Sequence, residues 1–238
     1  MKKYFFCLLL FVYSFTNAQT LANIQLKGHP RVLVSKEDLA ALKQKIKHAD
    51  FKEIYASYIA QKKFITDGVS KNGEPNEEIR YKIEALAFSY LIDTVNEKQA
   101  GLEAIELTQK YLQSITLVQG YHPNAHAYEA VFTAAMVYDW CYYLMNNNTK
   151  SAMISLMKNV SCLAEYCIFK KTPKQYLSGH YGEYAPTVFL AMGLAIYDEQ
   201  QDVFDFAYKE QVENFAPSRN PWYEASTHHQ GSQYIHVR

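Results

Sequence analysis

The chain has no excess of charge of either sign, since 24 lysines and arginines balance 24 aspartates and glutamates. Two of the lysines lie in a predicted leader, and without them 22 basic residues face 24 acidic ones, a net charge of −2. Such a chain lacks the basic field with which proteins hold nucleic acids. We therefore expect no nucleic-acid partner, and an acidic ligand would need a local binding cluster.

The sequence also lacks an apolar run long enough to cross a bilayer at its start. Residues 4–12 are apolar, but a membrane-spanning helix needs about 20 such residues. This run follows two lysines and precedes small residues at positions 16–18, which is the pattern of a secretory signal peptide. We predict a signal peptide over residues 1–18, a domain over residues 19–238 without a membrane span, and a periplasmic or secreted protein.

Cysteine is scarce, and no Cys-x-x-Cys pair occurs. Cys141, Cys162 and Cys167 follow the predicted leader, and an odd number in an exported chain leaves at least one free thiol unless it pairs between molecules. Cys162 and Cys167 are five residues apart, so on one helix they would point to different sides. We expect these cysteines to be small buried side chains without a bond between Cys162 and Cys167.

No segment alternates between polar and apolar residues as β-strands do. Helical spacing is found instead, most clearly in Ile79, Ile83, Leu86 and Tyr90, which predict one buried stripe. Residues 67–75 are polar with Gly and Pro and predict a loop. Further helices are predicted from Ser35 through Ile46, through Phe51 to Ile65, and over residues 97–116, 125–145, 149–169, 180–198, 200–215 and 228–238.

Helices of this length with short links pack as antiparallel pairs, so the sequence predicts an all-α fold. No repeat of fixed period is present, which favours helical hairpins wrapped into an (α/α) toroid over an open solenoid. The last residues, from Tyr234 to Arg238, carry no helix-stop signal. We therefore expect the chain to be part of a longer protein and the toroid to be incomplete within it.

Candidate chemistry concentrates in the last 60 residues. His180 and Glu183 are three residues apart at the predicted start of a helix, so both can face one side. Gln230, Tyr234 and Arg238 follow at steps of four, which places them on one helical face. An imidazole, a carboxyl, a phenol and a guanidinium are the groups that acid–base chemistry on an acidic substrate needs.

Five segments in order resemble the helical domain of heparinase II and related heparinase II/III-like polysaccharide lyases. They are His29-Pro30-Arg31, Tyr138 to Tyr142, Gly179-His180 with Glu183, Ala195 to Glu199, and His229-Gln230-Gly231 with Tyr234, Val237 and Arg238. The resemblance runs from about residue 29 to 238. It implies a helical toroid followed by β-sandwich domains, which are absent from this sequence, with active-site residues contributed by both parts.

The resemblance also implies residue roles. His180 and Tyr234 match catalytic positions and Glu183 matches an active-site carboxyl, while His229, Gln230 and Arg238 lie in the same matched segments and are expected to contact substrate. His126 is expected to line the sugar groove. No cofactor is expected in this segment, although a structural metal site and a further catalytic histidine are expected in the β-sandwich part.

The expected reaction is β-elimination across a uronic acid in an acidic glycan of the heparin or heparan-sulfate type. The substrate carboxylate must be neutralised, a base must remove the neighbouring proton, and an acid must protonate the leaving oxygen. His180 suits the neutralising or basic role and Tyr234 the acidic or basic one, with Arg238 as a cation that stabilises a phenolate. We expect the residues of this sequence alone to be inactive or feeble.

Two other functions fit parts of the sequence. A glycoside hydrolase on a helical toroid needs two carboxylates about 5–9.5 Å apart, and Glu183 has no obvious partner in the sequence. A non-catalytic glycan-binding helical array would rely on the 20 tyrosines and 13 phenylalanines instead. The oligomeric state and the accepted uronate, sulfation and linkage are not readable from the sequence.

A metal site formed by histidine and glutamate pairs is a further hypothesis. His126 and Glu129 repeat the His-x-x-Glu spacing of His180 and Glu183, and two such pairs can face each other. Di-metal helical bundles use the opposite order, Glu-x-x-His, and no His-Glu-x-x-His sequence occurs. We therefore predict no metal ligand among these residues.

Overall fold

The computed structural model describes residues 26–65, 70–71, 74–116, 123–163, 184–209 and 212–213, and for 70–71, 74–75, 123–126 and 184–187 it describes the backbone. In these ranges the chain forms eight α-helices: α1 (Leu39–Lys45), α2 (Ala49–Ala60), α3 (Glu77–Ile92), α4 (Lys98–Ser114), α5 (Pro123–Trp140), α6 (Asn147–Ser161), α7 (Tyr184–Ala195) and α8 (Gln201–Tyr208). Two short 3₁₀ helices, Gln61–Lys63 and Tyr142–Leu144, follow α2 and α5.

The all-α prediction is confirmed for the described part of the chain. One departure is the predicted loop at 67–75, where β1 (Ser70–Lys71) pairs with β2 (Glu74–Pro75) in a minimal antiparallel ladder. The helix predicted over 200–215 is present as α8 and continues as π-helix at residues 209 and 212–213. The predicted helix at 228–238 lies outside the described residues.

Asparagine side chains fix the starts of two central helices. The side chain of Asn76 accepts a hydrogen bond from the backbone of Glu78 at 2.9 Å, and Asn146 accepts one from Thr149 at 2.9 Å. Each bond satisfies a backbone N–H that the first helical turn leaves without a partner. Glu77 and Glu78 add negative charge at the positive end of α3.

The core is centred on α5. The predicted stripe of Ile79, Ile83, Leu86 and Tyr90 on α3 is confirmed as buried. Nearly every residue of α5 from position 127 onward is buried, so this helix has no broad polar face. A helix that is apolar on almost all sides must be surrounded by others, and α5 contacts α3, α4, α6 and α7.

Successive helices form three hairpins, α3–α4, α5–α6 and α7–α8, each joined by a link of five or six residues. The first helices of the hairpins run parallel to one another. Arg80 and Glu84 of α3 meet Glu129 and Thr133 of α5 in the same order, since Arg80 contacts Glu129 and Glu84 contacts Thr133. The N-terminal ends of α3 and α5 therefore lie at the same end of the array.

Helix α7 has the same direction as α5, because the two helices are joined at both ends: His29 bonds Asp139 at the end of α5 and Asp198 just beyond the end of α7, and a ring contact lies near their starts. The ring of Phe189 on α7 meets that of Tyr128 on α5, with 6.0 Å between centroids, and both residues lie five positions after the start of their helix. At a rise of about 1.5 Å per residue, the first turns of α5 and α7 are level with each other. We call this shared end of α3, α5 and α7 the N-terminal end, and the opposite one the C-terminal end.

The cysteines depart from one expectation. Cys141 is a free thiol that is fully buried, and burial raises its pKa, so it is an inert core side chain. Cys162 is disulfide-bonded, and its partner lies outside the described residues. The expectation that Cys162 is a small buried side chain is wrong, because Cys162 lies just beyond the end of its helix at Ser161, is partly exposed and is disulfide-bonded.

No helix in the described ranges is both long enough and apolar enough to cross a membrane.

Candidate active site

Three sequence segments far apart in the chain meet at the C-terminal end. His29 is 4 % exposed, and its ring lies between two carboxylates. Its Nδ1 lies 2.6 Å from Oδ1 of Asp139, and its Nε2 lies 3.2 Å from Oδ2 of Asp198, so each ring nitrogen has a carboxylate oxygen within hydrogen-bond distance.

The Asp139 side chain is fully buried and satisfied. Besides the bond from His29, its Oδ2 accepts the backbone N–H groups of Arg31 at 2.7 Å and Val32 at 2.8 Å. The next residue, Trp140, donates from its indole to the carbonyl of Val32 at 3.0 Å. These bonds tie the segment before α1 to the last turn of α5.

Arg31 extends the same network to α7. Its Nη2 donates to both carboxylate oxygens of Asp198, at 2.9 and 3.0 Å, and its Nη1 donates to the carbonyl of Leu194. Burial raises the pKa of Asp198, but the hydrogen bonds and charges of Arg31 and His29 outweigh it, so the net shift is downward. We call His29, Arg31, Asp139 and Asp198 the polar clamp.

An aromatic residue covers the polar clamp. The ring of Tyr142 stacks on His29 with 3.6 Å between centroids, and Nζ of Lys150 lies 3.3 Å from the centre of the Tyr142 ring. The Tyr142 hydroxyl donates to Glu199 at 2.9 Å. Every ring nitrogen and carboxylate oxygen of the polar clamp has a partner inside the protein, which is typical of a network that holds a fold together.

The polar clamp holds the C-terminal end of α7. The candidate catalytic residues His180 and Glu183 precede the other end of this helix in the sequence. Arg31 binds Leu194 and Asp198 at the C-terminal end of α7. The first residue of α7 is Tyr184, which directly follows Glu183 in the chain. The start of α7 is thus held beside the start of α5, where His126 lies in the first turn.

A second polar cluster lies near the N-terminal end, between α3 and α5. Arg80 approaches Glu84 at 3.4 Å and Glu129 at 3.6 Å, and its guanidinium lies over the ring of Tyr81 at 4.6 Å. The hydroxyl of Thr133 donates to Glu84 at 2.6 Å. We call Arg80, Glu84, Glu129 and Thr133 the rim cluster.

Burial shapes the charges of the rim cluster. It raises the pKa of Glu84, and the hydrogen bond from Thr133 and the charge of Arg80 oppose that rise only in part. Burial also raises the pKa values of Tyr58 and Tyr111, so these two neighbours of the rim cluster are neutral phenols. Glu129 is the most exposed member, with 41 % of its side chain accessible.

The catalytic and substrate-binding residues expected from the sequence cannot be located relative to these two clusters. His180, Glu183, His229, Gln230, Tyr234 and Arg238 all lie outside the described residues. His126 belongs to the first turn of α5, where the backbone alone is described. Their convergence on one wall remains a prediction.

In the described part of the chain, no three His, Cys, Asp or Glu side chains are grouped as metal ligands would be. Glu129, which shares the His-x-x-Glu spacing with His126, is an ion-pair partner of Arg80.

Sequence reasoning missed both clusters. The segments of the polar clamp were recognised through the resemblance, but no role was assigned to His29, Asp139 or Asp198. Arg80 and Glu84 were not among the predicted site residues, although their i,i+4 spacing beside the buried stripe of α3 indicates a polar helix face. Comparison with known proteins identifies no relative, since neither a protein-family model nor a curated protein matches the chain.

Proposed function

We propose that this protein is a polysaccharide lyase that cleaves uronic-acid-containing glycans, of the heparin or heparan-sulfate type, by β-elimination. In this proposal His180 and Tyr234 exchange protons with the sugar ring and the leaving oxygen, and Glu183 orients His180 or shares a proton with the substrate carboxylate. His126, His229, Gln230 and Arg238 contact the glycan.

One observation carries the proposal. Three of the five segments on which the resemblance rests, around His29, Asp139 and Asp198, are 110 and 169 residues apart and bond directly to one another. Unrelated chance similarities would have no reason to meet in one buried network. This supports reading the two remaining segments, which contain His180 and Tyr234, as parts of the same inherited arrangement.

The direction of the helices agrees with this chemistry. The N-terminal ends of α3, α5 and α7 lie together, and each carries the positive end of a helix dipole. Backbone N–H groups at such ends bind anions, and a uronate carboxylate is an anion that must be neutralised before its neighbouring proton can be removed. The active cleft in our proposal opens at this end.

The proposed architecture is an (α/α) toroid. Parallel first helices α3, α5 and α7, with the second helices α4 and α6 in contact with each other, support this proposal. Closure of the ring would involve residues outside the described ranges.

We also propose that the protein is exported and that residues 1–18 are removed. The charged and apolar pattern of these residues supports this, and the disulfide at Cys162 is typical of proteins that fold in an oxidising compartment.

The test is a product analysis with the full-length gene product. Elimination leaves an unsaturated uronate at the new chain end, which absorbs in the ultraviolet, whereas hydrolysis leaves reducing ends without that absorbance. We expect absorbance to grow on heparan-type glycans. Reducing ends alone would replace the proposal by a hydrolase, and neither signal would leave a glycan-binding protein.

Two variants assign the chemistry. We expect His180→Ala and Tyr234→Phe each to lower kcat by about 10²–10⁴-fold, the usual contribution of a general acid or base. Tyr208→Phe, on α8, is the matched control and should keep the wild-type rate. Full activity in both test variants would refute the assignment of His180 and Tyr234.

A further inference from the structure

The junction of the first two helices concentrates positive charge in a chain that elsewhere has an acidic excess. Residues 43–52 contain four lysines and one aspartate, a formal charge of +3 within ten residues. The rest of residues 19–238 keeps 18 of the 22 basic and 23 of the 24 acidic residues, a charge of −5. An acidic ligand is therefore attracted to this junction and not to the molecule as a whole.

Three of the four lysines are free to meet a ligand. Lys45, Lys47 and Lys52 are exposed, whereas Lys43 is half-buried. Within the described ranges, none of the three exposed lysines forms an ion pair. Their ammonium groups are thus not neutralised by the protein itself.

The turn between α1 and α2 brings these lysines together. The backbone N–H of His48 donates to the carbonyl of Lys45 at 3.1 Å, and that of Lys52 donates to the carbonyl of His48 at 3.0 Å. Nζ of Lys45 lies 4.8 Å from the centre of the Phe51 ring, a cation–π contact that holds the ammonium at the surface. We call Lys45, Lys47 and Lys52 the basic corner.

The apolar side chains of α2 argue against a membrane as the partner. The rings of Tyr55 and Tyr58 are used inside the protein, where they pack on Phe88 of α3 at 6.1 and 5.6 Å between centroids. The large apolar side chains that α2 leaves exposed are Phe51 and Ile54, at 37 % and 65 %. A helix that lies in a bilayer surface needs a broad apolar face, and two side chains do not make one.

The basic corner lies away from the proposed cleft. Hydrogen bonds from Asn96 are the main cause of the lowered pKa of Asp93, and the charge of Lys43 contributes to it. Asp93 directly follows the last residue of α3, so Lys43 is near the C-terminal end of the helical array. The proposed function puts the cleft at the opposite, N-terminal end.

We propose that the basic corner is a second binding site for a sulfated acidic glycan, separate from the cleft. Carboxylate and sulfate groups recur along such a glycan, and spaced lysines bind them by charge and counterion release, which act over an open surface. The identity of the ligand rests on the proposed function, whereas binding itself does not depend on catalysis. The site would keep a long substrate attached to the protein between cleavage events.

The test is calorimetric binding of a heparin hexasaccharide to the full-length protein at several salt concentrations. All proteins in this test contain His180→Ala, so that the probe is not cleaved. We expect the triple variant Lys45→Gln/Lys47→Gln/Lys52→Gln to bind the hexasaccharide about tenfold more weakly or worse. The slope of log affinity against log salt should become smaller by about two to three, because fewer counterions are released.

A second triple variant, Lys98→Gln/Lys110→Gln/Lys209→Gln, is the matched control. These lysines are also exposed but lie apart, at the start and in the last turns of α4 and just after α8, so the variant loses the same net charge without touching the basic corner. It should change the affinity by less than about threefold, because separated surface charges are screened by salt. Equal losses in the two triple variants would show that net charge alone attracts heparin and would overturn the site.

Two further outcomes would also overturn the site. One is the absence of any hexasaccharide binding before the lysines are changed. The other is binding to phosphatidylserine vesicles that depends on the basic corner while heparin binding does not, which would make the partner a membrane. If circular dichroism shows that the triple variant does not fold, Lys47→Gln/Lys52→Gln keeps the test decisive, because it leaves the contact between Lys45 and Phe51 intact.

The site and the lyase can fail separately. Heparin binding that depends on the basic corner, with no unsaturated product from the protein that retains His180, would refute the lyase and keep the site. Unsaturated product together with binding that is insensitive to the three lysines would do the reverse.

Discussion

The two ends of the parallel helices contain the same kinds of side chain in opposite states. At the C-terminal end, Arg31 and Asp198 are bonded at 2.9–3.0 Å, and Asp139 accepts three bonds while fully buried. At the N-terminal end, Arg80 approaches its carboxylates at 3.4 and 3.6 Å. Short, fully formed hydrogen bonds to buried groups hold a fold together, whereas the longer contacts of Arg80 contribute less to stability.

A sequence resemblance can concern the arrangement of the helices or the function of the protein, and the two ends differ in which of these they bear on. The segments around His29, Asp139 and Asp198 are recognisable because their side chains must fit one another, and such a fit says how the helices are arranged. It does not say what the protein does. The proposed function concerns the N-terminal end of the helices, and the polar clamp contributes to its position by holding α7.

The largest effect is expected at the most buried member of the polar clamp. Asp139→Asn removes a charge that faces His29 and replaces one acceptor by a donor opposite the Arg31 and Val32 backbone. Breaking a buried pair on one side typically costs about 3–5 kcal/mol, and we expect that loss in the free energy of unfolding measured with urea.

Glu129→Gln is the control for Asp139→Asn at the opposite end. Because the contact between Glu129 and Arg80 is 3.6 Å long and the Glu129 side chain is 41 % exposed, loss of this contact should contribute less than about 1 kcal/mol. Equal costs for the two variants would remove the distinction between a structural and a functional end.

An intermediate loss of stability is expected for a substitution at the contact between α7 and α8. A Cβ atom on Gly193 would lie 2.6 Å from the backbone Cα of Phe204, which cannot move without shifting α8. Gly193→Ala should therefore destabilise the protein by about 1–3 kcal/mol in urea unfolding, the usual cost of overpacking.

Gly101→Ala is the matched helical control for Gly193→Ala. Its added Cβ would meet side-chain atoms only: the end of Leu144 at 2.6 Å, which can rotate away, and Cγ of Tyr90 at 2.8 Å, which lies close to the backbone and can give less. Both variants gain about 1 kcal/mol of helix propensity, so the difference between them isolates the contact with the backbone. A larger cost at Gly101 would contradict rigid packing of α7 on α8.

The smallest effect is a difference in the sign of pH dependence. The pKa of Asp198 is lowered on folding, so its stabilising contribution is present above 3.8 and is lost as the pH falls through the lowered value. The pKa of Glu84 is raised, so its contribution is full below 4.5 and is lost as the pH rises through the raised value.

Unfolding free energies of Asp198→Asn and Glu84→Gln, measured from pH 3 to 7 against wild type, check both signs. The deficit of Asp198→Asn should shrink towards acid, and the stability of Glu84→Gln relative to wild type should rise with pH. Parallel curves for the two variants would mean that the two ends are electrostatically alike.

Much of the fold was predictable because helix patterns are local. The stripe from Ile79 to Tyr90 needs four residues within three turns, and it is buried as expected. The directions of the helices, and which helices pack against each other, were not predictable from local patterns. They depend on pairs such as His29 and Asp139, which are 110 residues apart and have no local signal.

The candidate site divides in the same manner. The types and spacing of His180, Glu183 and Tyr234 predict acid–base chemistry from the sequence, but their convergence depends on distant helices. The loose bonding of Arg80 was not predictable at all, because its i,i+4 spacing to Glu84 is identical to that of an ordinary surface pair. Only burial and distances distinguish it.

The most direct test of the account compares Asp139→Asn with His180→Gln in one experiment. The rate of unsaturated uronate formation by the full-length protein is measured at a temperature where both variants are folded, together with the Tm of each. We predict that Asp139→Asn lowers the Tm and keeps a rate near that of wild type, whereas His180→Gln keeps the Tm and loses the rate. A loss of rate in Asp139→Asn with unchanged Tm, or an active His180→Gln, would contradict the account.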